Sequence, residues 1–195
     1  MEVAIVNYDV GNIKSIEHCL KRLGVSYKYT SDPQEILSAN KVIFPGVGDA
    51  SYAMKKLKSQ NLDKIIPDIK QPLLGICLGM QLMCHSSEEG STQCLGIIDL
   101  NVKKFDSTNV KVPQIGWNNI NQLKSNIFKG IDDKEFVYMV HSYYVPESIY
   151  TISTSHYGIK YSSAINKNNF YGTQFHPEKS SLVGEKIMKN FIKEI

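Results

Sequence analysis

The stretch Leu73-Leu74-Gly75-Ile76-Cys77-Leu78-Gly79 joins a short apolar run to a cysteine that has a glycine two residues away on each side. The apolar run predicts a buried strand, and the glycines leave room for a sharp turn from that strand into a helix. A turn of this kind pushes the central side chain outward at the end of the strand. The stretch therefore predicts an outward-pointing thiol at one edge of a sheet.

Similar apolar runs alternate with amphipathic segments throughout the first half of the chain. We predict strands over residues 3–6, 26–29, 42–44 and 73–76, and helices from residues 13 and 33 and over 51–57 and 62–69. Asn12 and Asp32 are candidate helix N-caps, and Gly24 is a candidate C-terminal stop. This rhythm predicts an α/β fold with a doubly wound, mostly parallel open sheet and helices on both faces.

The second half predicts short strands joined by turns, over residues 102–105, 136–140, 150–153, 164–165 and 170–175, and a closing helix from about residue 182. We expect these strands to extend the sheet in an antiparallel direction. We expect residues 1–195 to form a single domain, because this length is ordinary for one core.

Composition excludes several classes of protein. Of the 195 residues, 42% are hydrophobic and 21% are charged, as in an ordinary globular protein, and the net charge of +3 includes no long basic run that would bind nucleic acid. The N-terminus does not resemble a signal peptide, and no apolar run approaches the roughly 20 residues that span a bilayer. We therefore expect a cytoplasmic protein without a membrane or nucleic-acid partner.

Cys77 differs from the other cysteines in its surroundings. A helix predicted over residues 79–85 would point its N-terminus at the sulfur, favour the thiolate and offer a backbone donor to an oxyanion. A structural cysteine needs none of this, so Cys77 is predicted to be a nucleophile. Cys19, Cys84 and Cys94 are expected to be small buried thiols, and the absence of metal-ligand spacing predicts no metal and no cofactor.

A cysteine nucleophile needs a base and a group that orients the base. His176-Pro177-Glu178 follows a predicted strand, so His176 would reach the edge of the sheet with Glu178 within reach of its ring. His141 also follows a strand, whereas the other histidines fall in helical stretches or a polar turn. Beside Cys77, the favoured base is His176, although a lone His-x-Glu would be weak evidence.

Gly75-Ile76-Cys77-Leu78-Gly79-Met80-Gln81 and Phe175-His176-Pro177-Glu178-Lys179 together resemble class I glutamine amidotransferases, whose triad runs in the order Cys, His, Glu. Four further stretches resemble the glutaminase subunits of imidazole glycerol phosphate synthases: Pro45-Gly46-Val47-Gly48, Ser87-Glu88-Glu89-Gly90, Gly116-Trp117-Asn118 and His141-Ser142-Tyr143-Tyr144. The resemblance covers almost the whole chain, and its motifs are specific in combination.

The resemblance implies a role for each matching residue. Cys77 would attack the side-chain carbonyl of glutamine, His176 would relay the proton to the leaving ammonia, and Glu178 would orient His176. The backbone N–H groups of Leu78 and Val47 correspond to the family's oxyanion hole, and the glycines around Val47 would allow its peptide to rotate.

Four further residues match positions that hold the amino and carboxylate ends of glutamine in the family: Gln81, Glu89, Ser142 and Tyr143. Each also has a simpler explanation. Gln81 could be a solvated helix residue, Glu89 part of an acidic turn, and Tyr143 a half-buried strand aromatic.

The resemblance further implies a partner, the cyclase (βα)8-barrel subunit of imidazole glycerol phosphate synthase, in a heterodimer that uses the ammonia in histidine biosynthesis. The chain has no phosphate-binding loop of its own, which agrees with acceptor chemistry on another polypeptide. Asn12, Trp117 and Lys179 match positions at that interface. Two stretches depart from the family pattern, at Asp9 and at Gln114-Ile115, and the second bears on the partner-facing surface.

Three alternatives remain open at this point. The same subunit could feed a sugar-modifying amidotransferase, the fold could be a non-catalytic relative, or the triad could belong to a cysteine peptidase with a different substrate pocket.

Overall fold

A computed structural model describes all residues, 1–195. The strands and helices follow one another along the chain in this order: β1 (Glu2–Val6), α1 (Ile13–Arg22), β2 (Ser26–Thr30), α2 (Pro33–Ser38), β3 (Lys41–Phe44), α3 (Ala50–Ser59), α4 (Leu62–Ile65), β4 (Leu73–Ile76), α5 (Leu78–Leu82), β5 (Cys84–Ser87), β6 (Thr92–Gln93), β7 (Ile98–Lys104), β8 (Gln114–Asn119), β9 (Phe136–His141), β10 (Tyr143–Tyr144), β11 (Thr151–Tyr157), β12 (Ile159–Lys167), β13 (Phe170–Thr173) and α6 (Ser181–Glu194). Short 3-10 segments span Ile66–Asp68, Glu89–Ser91, Asn126–Phe128 and Pro177–Lys179. None of the helices has the length and apolar composition that crossing a bilayer requires.

The central sheet has the strand order β11-β12-β13-β4-β3-β1-β2. The five strands from β13 to β2 are parallel, and β12 and β11 continue the sheet in the antiparallel sense. The predicted fold class, a mostly parallel sheet extended by antiparallel strands of the C-terminal half, is therefore confirmed. A second sheet, β10-β7-β5-β6, and a two-stranded ribbon of β8 and β9 lie outside the central sheet.

Helices cover both faces of the central sheet. One buried cluster joins the inner side of α1 and α6, including Ile16 and Phe191, to one face of the strands. The other cluster joins α2 to α5, including Leu57 and Met80, to the opposite face. Side chains of the central parallel strands alternate between the two clusters, which explains why these strands read as continuous apolar runs.

The local signals at helix ends were partly right. Asp32 caps α2, with its carboxylate accepting a hydrogen bond from the Gln34 N–H at 2.8 Å. Gly24 ends α1 in a left-handed conformation (φ +67°), and its N–H donates to the Lys21 carbonyl. Asn12 occupies the N-cap position of α1, but its side chain makes no capping hydrogen bond.

The structure differs from the prediction at two places around the middle of the chain. The helix expected over residues 79–85 ends at Leu82, and Cys84–Ser87 instead forms β5, paired with β6 and β7. A short apolar run fits a buried helix or a buried strand, and here the pairing with β7 decides between them. Strand β8 was not predicted, because Gly116 and two asparagines are weak strand formers; pairing with β9 over its full length holds it extended.

The topology brings three loops together at one edge of the central sheet. β3, β4 and β13 are adjacent parallel strands, so their carboxyl ends lie side by side. The loops that follow them carry Pro45-Gly46-Val47-Gly48, Cys77 and His176. Ligands of open α/β sheets bind at this edge, so the fold places the three motifs where a site is expected.

Close backbone packing holds two of these loops against each other. A Cβ atom on Gly79 would overlap the Phe44 carbonyl oxygen, and one on Gly46 would lie 2.7 Å from the Gly79 nitrogen. Helix α5 can therefore approach the end of β3 only if these positions have no side chain.

We expect Gly79→Ala to lower the free energy of unfolding by about 3 kcal/mol or more, at the upper end of the usual cost of overpacking, because the Phe44 carbonyl is backbone and cannot rotate away. Urea denaturation followed by circular dichroism measures the change. The matched control is Gly24→Ala, where an added Cβ meets nothing within 4 Å and only the left-handed backbone costs about 1–2 kcal/mol. Equal losses in the two variants would contradict the packing argument.

Candidate active site

Cys77 lies on the sharp turn between β4 and α5. Its backbone has φ 52° and ψ −107°, which is unusual for a residue with a side chain, and its N–H donates to the Thr173 carbonyl at 2.7 Å. Such backbone strain persists where the surroundings enforce it and clusters at functional sites. Here the bond to Thr173, on the neighbouring strand β13, and the glycines at 75 and 79 hold the turn, as the sequence predicted.

His176 follows β13, directly beside the strand that leads to Cys77. Its Nδ1 lies 2.8 Å from Glu178 Oε1, and both side chains are only 2% exposed. Because a carboxylate only accepts, Nδ1 carries the proton of this bond, and the other ring nitrogen, Nε2, has no hydrogen-bond partner of ordinary length. Nε2 is therefore the nitrogen that can exchange a proton with a neighbour, and Cys77 lies close enough to act on the ring.

Opposing effects act on the pKa of His176. Burial lowers it, but the negative charge of the nearby Cys77 sulfur and the hydrogen bond to Glu178 outweigh burial and raise the pKa to about 10. The ring is thus favoured in its protonated form at neutral pH when the thiolate stands beside it. This pairing supplies a nucleophile and a proton donor in adjacent positions.

The two predicted oxyanion-hole residues lie in the same cavity as Cys77. Leu78 begins α5, whose first-turn N–H groups have no partner within the helix. Val47 stands on the loop after β3, where Tyr8 donates its hydroxyl to the Pro45 carbonyl at 2.6 Å and anchors the loop. Since α5 has five residues instead of the predicted seven, any effect of its dipole on the sulfur comes from a single turn.

A cavity of about 360 Å³ opens beside the sulfur, a size typical of small-molecule sites. Its lining includes every predicted catalytic and glutamine-binding residue except Glu178, which lies behind His176: Val47, Cys77, Leu78, Gln81, Glu89, Ser142, Tyr143 and His176. Lys179 also lines it, whereas Asn12 and Trp117 are exposed outside it. The structure thus gathers residues from widely separated stretches into one site.

Glu89 and Gln81 are held in place by the protein. Glu89 Oε2 accepts a hydrogen bond from the Ala50 N–H at 2.9 Å, and burial raises the pKa of this carboxyl while the Ala50 bond opposes the rise. Gln81 Nε2 donates to the Tyr143 carbonyl at 2.9 Å. Each side chain keeps one oxygen that accepts no hydrogen bond from the protein, so both can still serve as acceptors for a ligand.

His141 also lines the cavity but is a different kind of histidine. Its Nδ1 lies 2.7 Å from the Tyr143 carbonyl, and burial lowers its pKa to about 4, although that hydrogen bond acts in the other direction. His141 is therefore neutral near pH 7 and cannot act as the proton donor there. His18, His85 and His156 are exposed; His85 lies on β5 and His156 on β11, not in the helix and turn that were predicted.

Sequence reasoning missed Gln174, which is fully buried and whose Nε2 lies 3.7 Å from Cys77 Sγ. A signal was present. Gln174 stands two residues before His176, and alternate residues of an extended chain point to the same side.

We expect an NMR titration to find the pKa of His176 well above 6.5 in the parent protein and lower in Cys77→Ala, because that variant removes the negative charge of the sulfur beside the ring. Histidine labelled with ¹⁵N reports the protonation of the ring, and His176→Asn identifies the resonance. Exposed His18 serves as the internal control in the same spectra. An identical titration of His176 in both proteins would show that the thiol does not act on the ring.

Comparisons with known proteins agree with this geometry. The sequence model of the family described as glutamine amidotransferase class-I matches residues 4–195. The imidazole glycerol phosphate synthase subunit HisH of Bacteroides fragilis (strain YCH46) is 54% identical over 98% of this chain and 99% of its own. The subunit HisH 1 of Vibrio vulnificus (strain YJ016) is 40% identical over 98% of this chain and 97% of its own.

Among solved structures, a glutamine amidotransferase from Thermotoga maritima has a similar fold, with a TM-score of 0.65 at 19% identity over 100% of this chain and 83% of its own. At that identity the likeness concerns the fold alone. The resemblance that the sequence motifs indicated is confirmed by the family match and by the two relatives.

Proposed function

Because the chain belongs to the class-I glutamine amidotransferase family and, within it, to the HisH subunits of imidazole glycerol phosphate synthase, we propose that it hydrolyses glutamine for that synthase through Cys77, His176 and Glu178. The products are glutamate and ammonia, and the ammonia is used in histidine biosynthesis. The observation that carries the proposal is the meeting of a strained Cys77 with the buried His176–Glu178 pair at one cavity.

The reaction follows from the placement of these groups. The Cys77 thiolate attacks the amide carbon of glutamine, and the N–H groups of Leu78 and Val47 stabilise the oxyanion of the tetrahedral intermediate. Protonated His176 gives its proton to the nitrogen, the C–N bond breaks, and ammonia leaves a thioester on Cys77. Water then attacks the thioester, with His176 accepting a proton from it, and glutamate departs as the thiolate re-forms. Glu178 keeps the proton of Nδ1 in place throughout.

The free oxygens of Gln81 and Glu89 suit the α-ammonium group of glutamine, since both are hydrogen-bond acceptors and Glu89 can add a negative charge. Ser142 and Tyr143 line the cavity where β9 passes into β10, and they would hold the carboxylate end.

The activity is tested by measuring glutamate formation from glutamine by the chain mixed with a cyclase subunit from the same source, with and without the nucleotide substrate of that subunit. We expect little activity from the chain alone and strong stimulation in the complex with nucleotide, because unregulated hydrolysis would waste glutamine. Cys77→Ala should lower the stimulated rate at least about a thousandfold.

Full activity of the isolated chain would contradict the coupling to a partner. A folded complex without activity would favour a non-catalytic relative. Stimulation by a sugar-modifying synthase in place of the cyclase would identify that alternative acceptor.

We further propose that the partner is a cyclase (βα)8 barrel, bound in a heterodimer by the outer face of the ribbon β8–β9. Ile115, Trp117 and Phe136 are 65%, 54% and 55% exposed on this face, and the Trp117 and Tyr138 rings are in edge contact at 6.2 Å. Contiguous exposed apolar groups of this kind mark interaction surfaces, and aromatic residues dominate binding energy in interfaces.

The ribbon adjoins the cavity, since Val140 of β9 and Pro113 just before β8 belong to the cavity lining. Lys179 lines the same cavity, and Asn12 lies on the loop after β1, at the same edge of the sheet. A partner seated on the ribbon would therefore lie beside the place where ammonia is released. The departure at Gln114-Ile115 places the most exposed of the three apolar side chains on this surface.

We expect Trp117→Asp to raise the Kd for the cyclase subunit by about 30-fold or more, the size of an interfacial hot spot, because the variant places a charge in an apolar contact. Titration calorimetry measures the affinity. The matched control is Ile149→Asp: Ile149 is 91% exposed but adjoins Tyr150, whose carbonyl bonds to Asn166 at the opposite edge of the sheet. Equal affinities for the Trp117 variant and the parent would exclude this face.

A further inference from the structure

The amide side chain of Gln174 is fully buried just after β13 and has no part in the proposed hydrolysis of glutamine. Its Oε1 accepts a hydrogen bond from Gln81 Nε2 at 2.9 Å, and its Nε2 lies 3.7 Å from the sulfur of Cys77, within the range of an N–H···S hydrogen bond. One side chain thus contacts both the nucleophile and a residue proposed to bind glutamine.

The donor and the acceptor of each of these hydrogen bonds can be assigned, because Gln81 also contacts a backbone carbonyl. The Tyr143 oxygen can only accept, so the atom of Gln81 that lies 2.9 Å from it must be the nitrogen. The same oxygen accepts from His141 Nδ1 at 2.7 Å, which places the proton of that neutral ring on Nδ1. The orientation of the Gln81 amide is therefore determined by the fold and not by a choice between two equivalent rotamers.

The orientation of the Gln81 amide also determines the orientation of the Gln174 amide. The second N–H of Gln81 Nε2 needs an acceptor, which can only be the oxygen of the Gln174 amide. That leaves the Gln174 nitrogen facing the sulfur, so the group that Cys77 meets is a donor. The same sequence of bonds leaves Gln81 Oε1 without a protein donor and available to the cavity.

We propose that Gln174 is a positioning residue that serves two sites at once: its N–H donates to the Cys77 sulfur, and its carbonyl holds Gln81 so that Gln81 Oε1 faces the ligand. The second half of this proposal rests on the proposed function, because it takes the ligand to be glutamine. The first half concerns the thiol alone and does not depend on the substrate.

A donor at the sulfur favours the thiolate over the thiol, because hydrogen bonds to a charged form stabilise it. The Val140 carbonyl, 3.8 Å from the sulfur, acts in the opposite sense, since it can accept the proton of the thiol. Protonated His176 supports the thiolate. Tyr8 stays neutral, since burial raises its pKa, and His141 stays neutral, since burial lowers its pKa to about 4.

The equilibrium between the thiol and thiolate forms of Cys77 therefore depends on opposing neighbours. The Val140 carbonyl favours the thiol, whereas Gln174 and His176, which is held by Glu178, favour the thiolate. Of the two groups that favour the thiolate, Gln174 is the one that carries no charge and transfers no proton. It can therefore stabilise the thiolate at every pH at which the fold is intact, without taking part in the proton relay.

The first test measures the rate of Cys77 alkylation by iodoacetamide against pH, in Gln174→Met, Gln174→Glu and the parent, with the Cys77 peptide quantified by mass spectrometry. Met has a similar length and no donor, and Glu keeps an acceptor for Gln81 but turns an oxygen to the sulfur. We expect the pH midpoint of alkylation to rise by about 1 to 2 in Gln174→Met, the size of a hydrogen bond to a charged group, and by at least as much in Gln174→Glu, whose carboxylate also repels the thiolate.

The matched control is Gln71→Glu, because Gln71 is a partly buried glutamine that donates to the Ile36 carbonyl, far from the sulfur. Its alkylation profile should coincide with the parent's. Thermal melting of each variant establishes that it is folded, and Gln174→Glu, which preserves the size of the side chain and an acceptor for Gln81, serves as the informative variant if Gln174→Met does not fold.

The second test measures glutamine hydrolysis by the complex with the cyclase subunit. Gln174→Glu still accepts from Gln81, so we expect kcat to fall about tenfold to a hundredfold with little change in KM. Gln174→Met also releases Gln81, so KM should rise as well. A merely structural role would lower stability and leave the alkylation midpoint and the split between kcat and KM unchanged.

Folded variants with the parent's alkylation profile would overturn the donor role of Gln174. Equal effects of Met and Glu on KM would overturn its role in holding Gln81. Failure of the proposed function would be recognised separately: the parent complex would then form no glutamate, while the shift in alkylation midpoint would still be present.

Discussion

The site depends on a contact in which backbone meets backbone. The Phe44 carbonyl at the end of β3 touches Gly79 in the first turn of α5, with no space for a side chain between them. Gly46, two residues further along the same loop, also lies against this turn. This approach forces Cys77 into its strained conformation and brings the Val47 loop beside the sulfur. The positions of the proposed nucleophile and of the proposed oxyanion hole therefore both follow from one packing arrangement.

Most residues that line the candidate site were named from the sequence, but their contacts with one another could not all be predicted. Cys77 and His176 are far apart in the sequence, and their local motifs predict only that each residue lies at the end of a strand. The strands that lead to them are neighbours because β13 pairs with β4. This pairing depends on the order of the strands in the finished sheet. Local patterns identify strands, whereas strand order depends on crossovers and packing over the whole domain. The expectation of a single domain stays a prediction.

The errors have physical causes of the same kind. The run that ends α5 at Leu82 and begins β5 at Cys84 contains apolar residues that suit either structure, and the decision comes from a strand about fifteen residues later in the chain. Gln174 was overlooked because an uncharged amide has no distinctive sequence signal. Its orientation depends on the Tyr143 carbonyl, reached through Gln81, and such a relay exists only once three separate strands or helices have met.

The two buried histidines of the cavity show how the fold assigns different chemistry to the same side chain. Both lose solvent, which disfavours the charged ring. His176 has Glu178 on one nitrogen and Cys77 near the other, and these outweigh burial. His141 has a neutral backbone carbonyl on Nδ1 and only a long contact, 3.4 Å, with the Tyr161 hydroxyl at Nε2, so burial prevails. The cavity consequently contains one histidine that can carry a proton at neutral pH and one that fixes the orientation of its neighbours, and the difference arises from their hydrogen-bond partners.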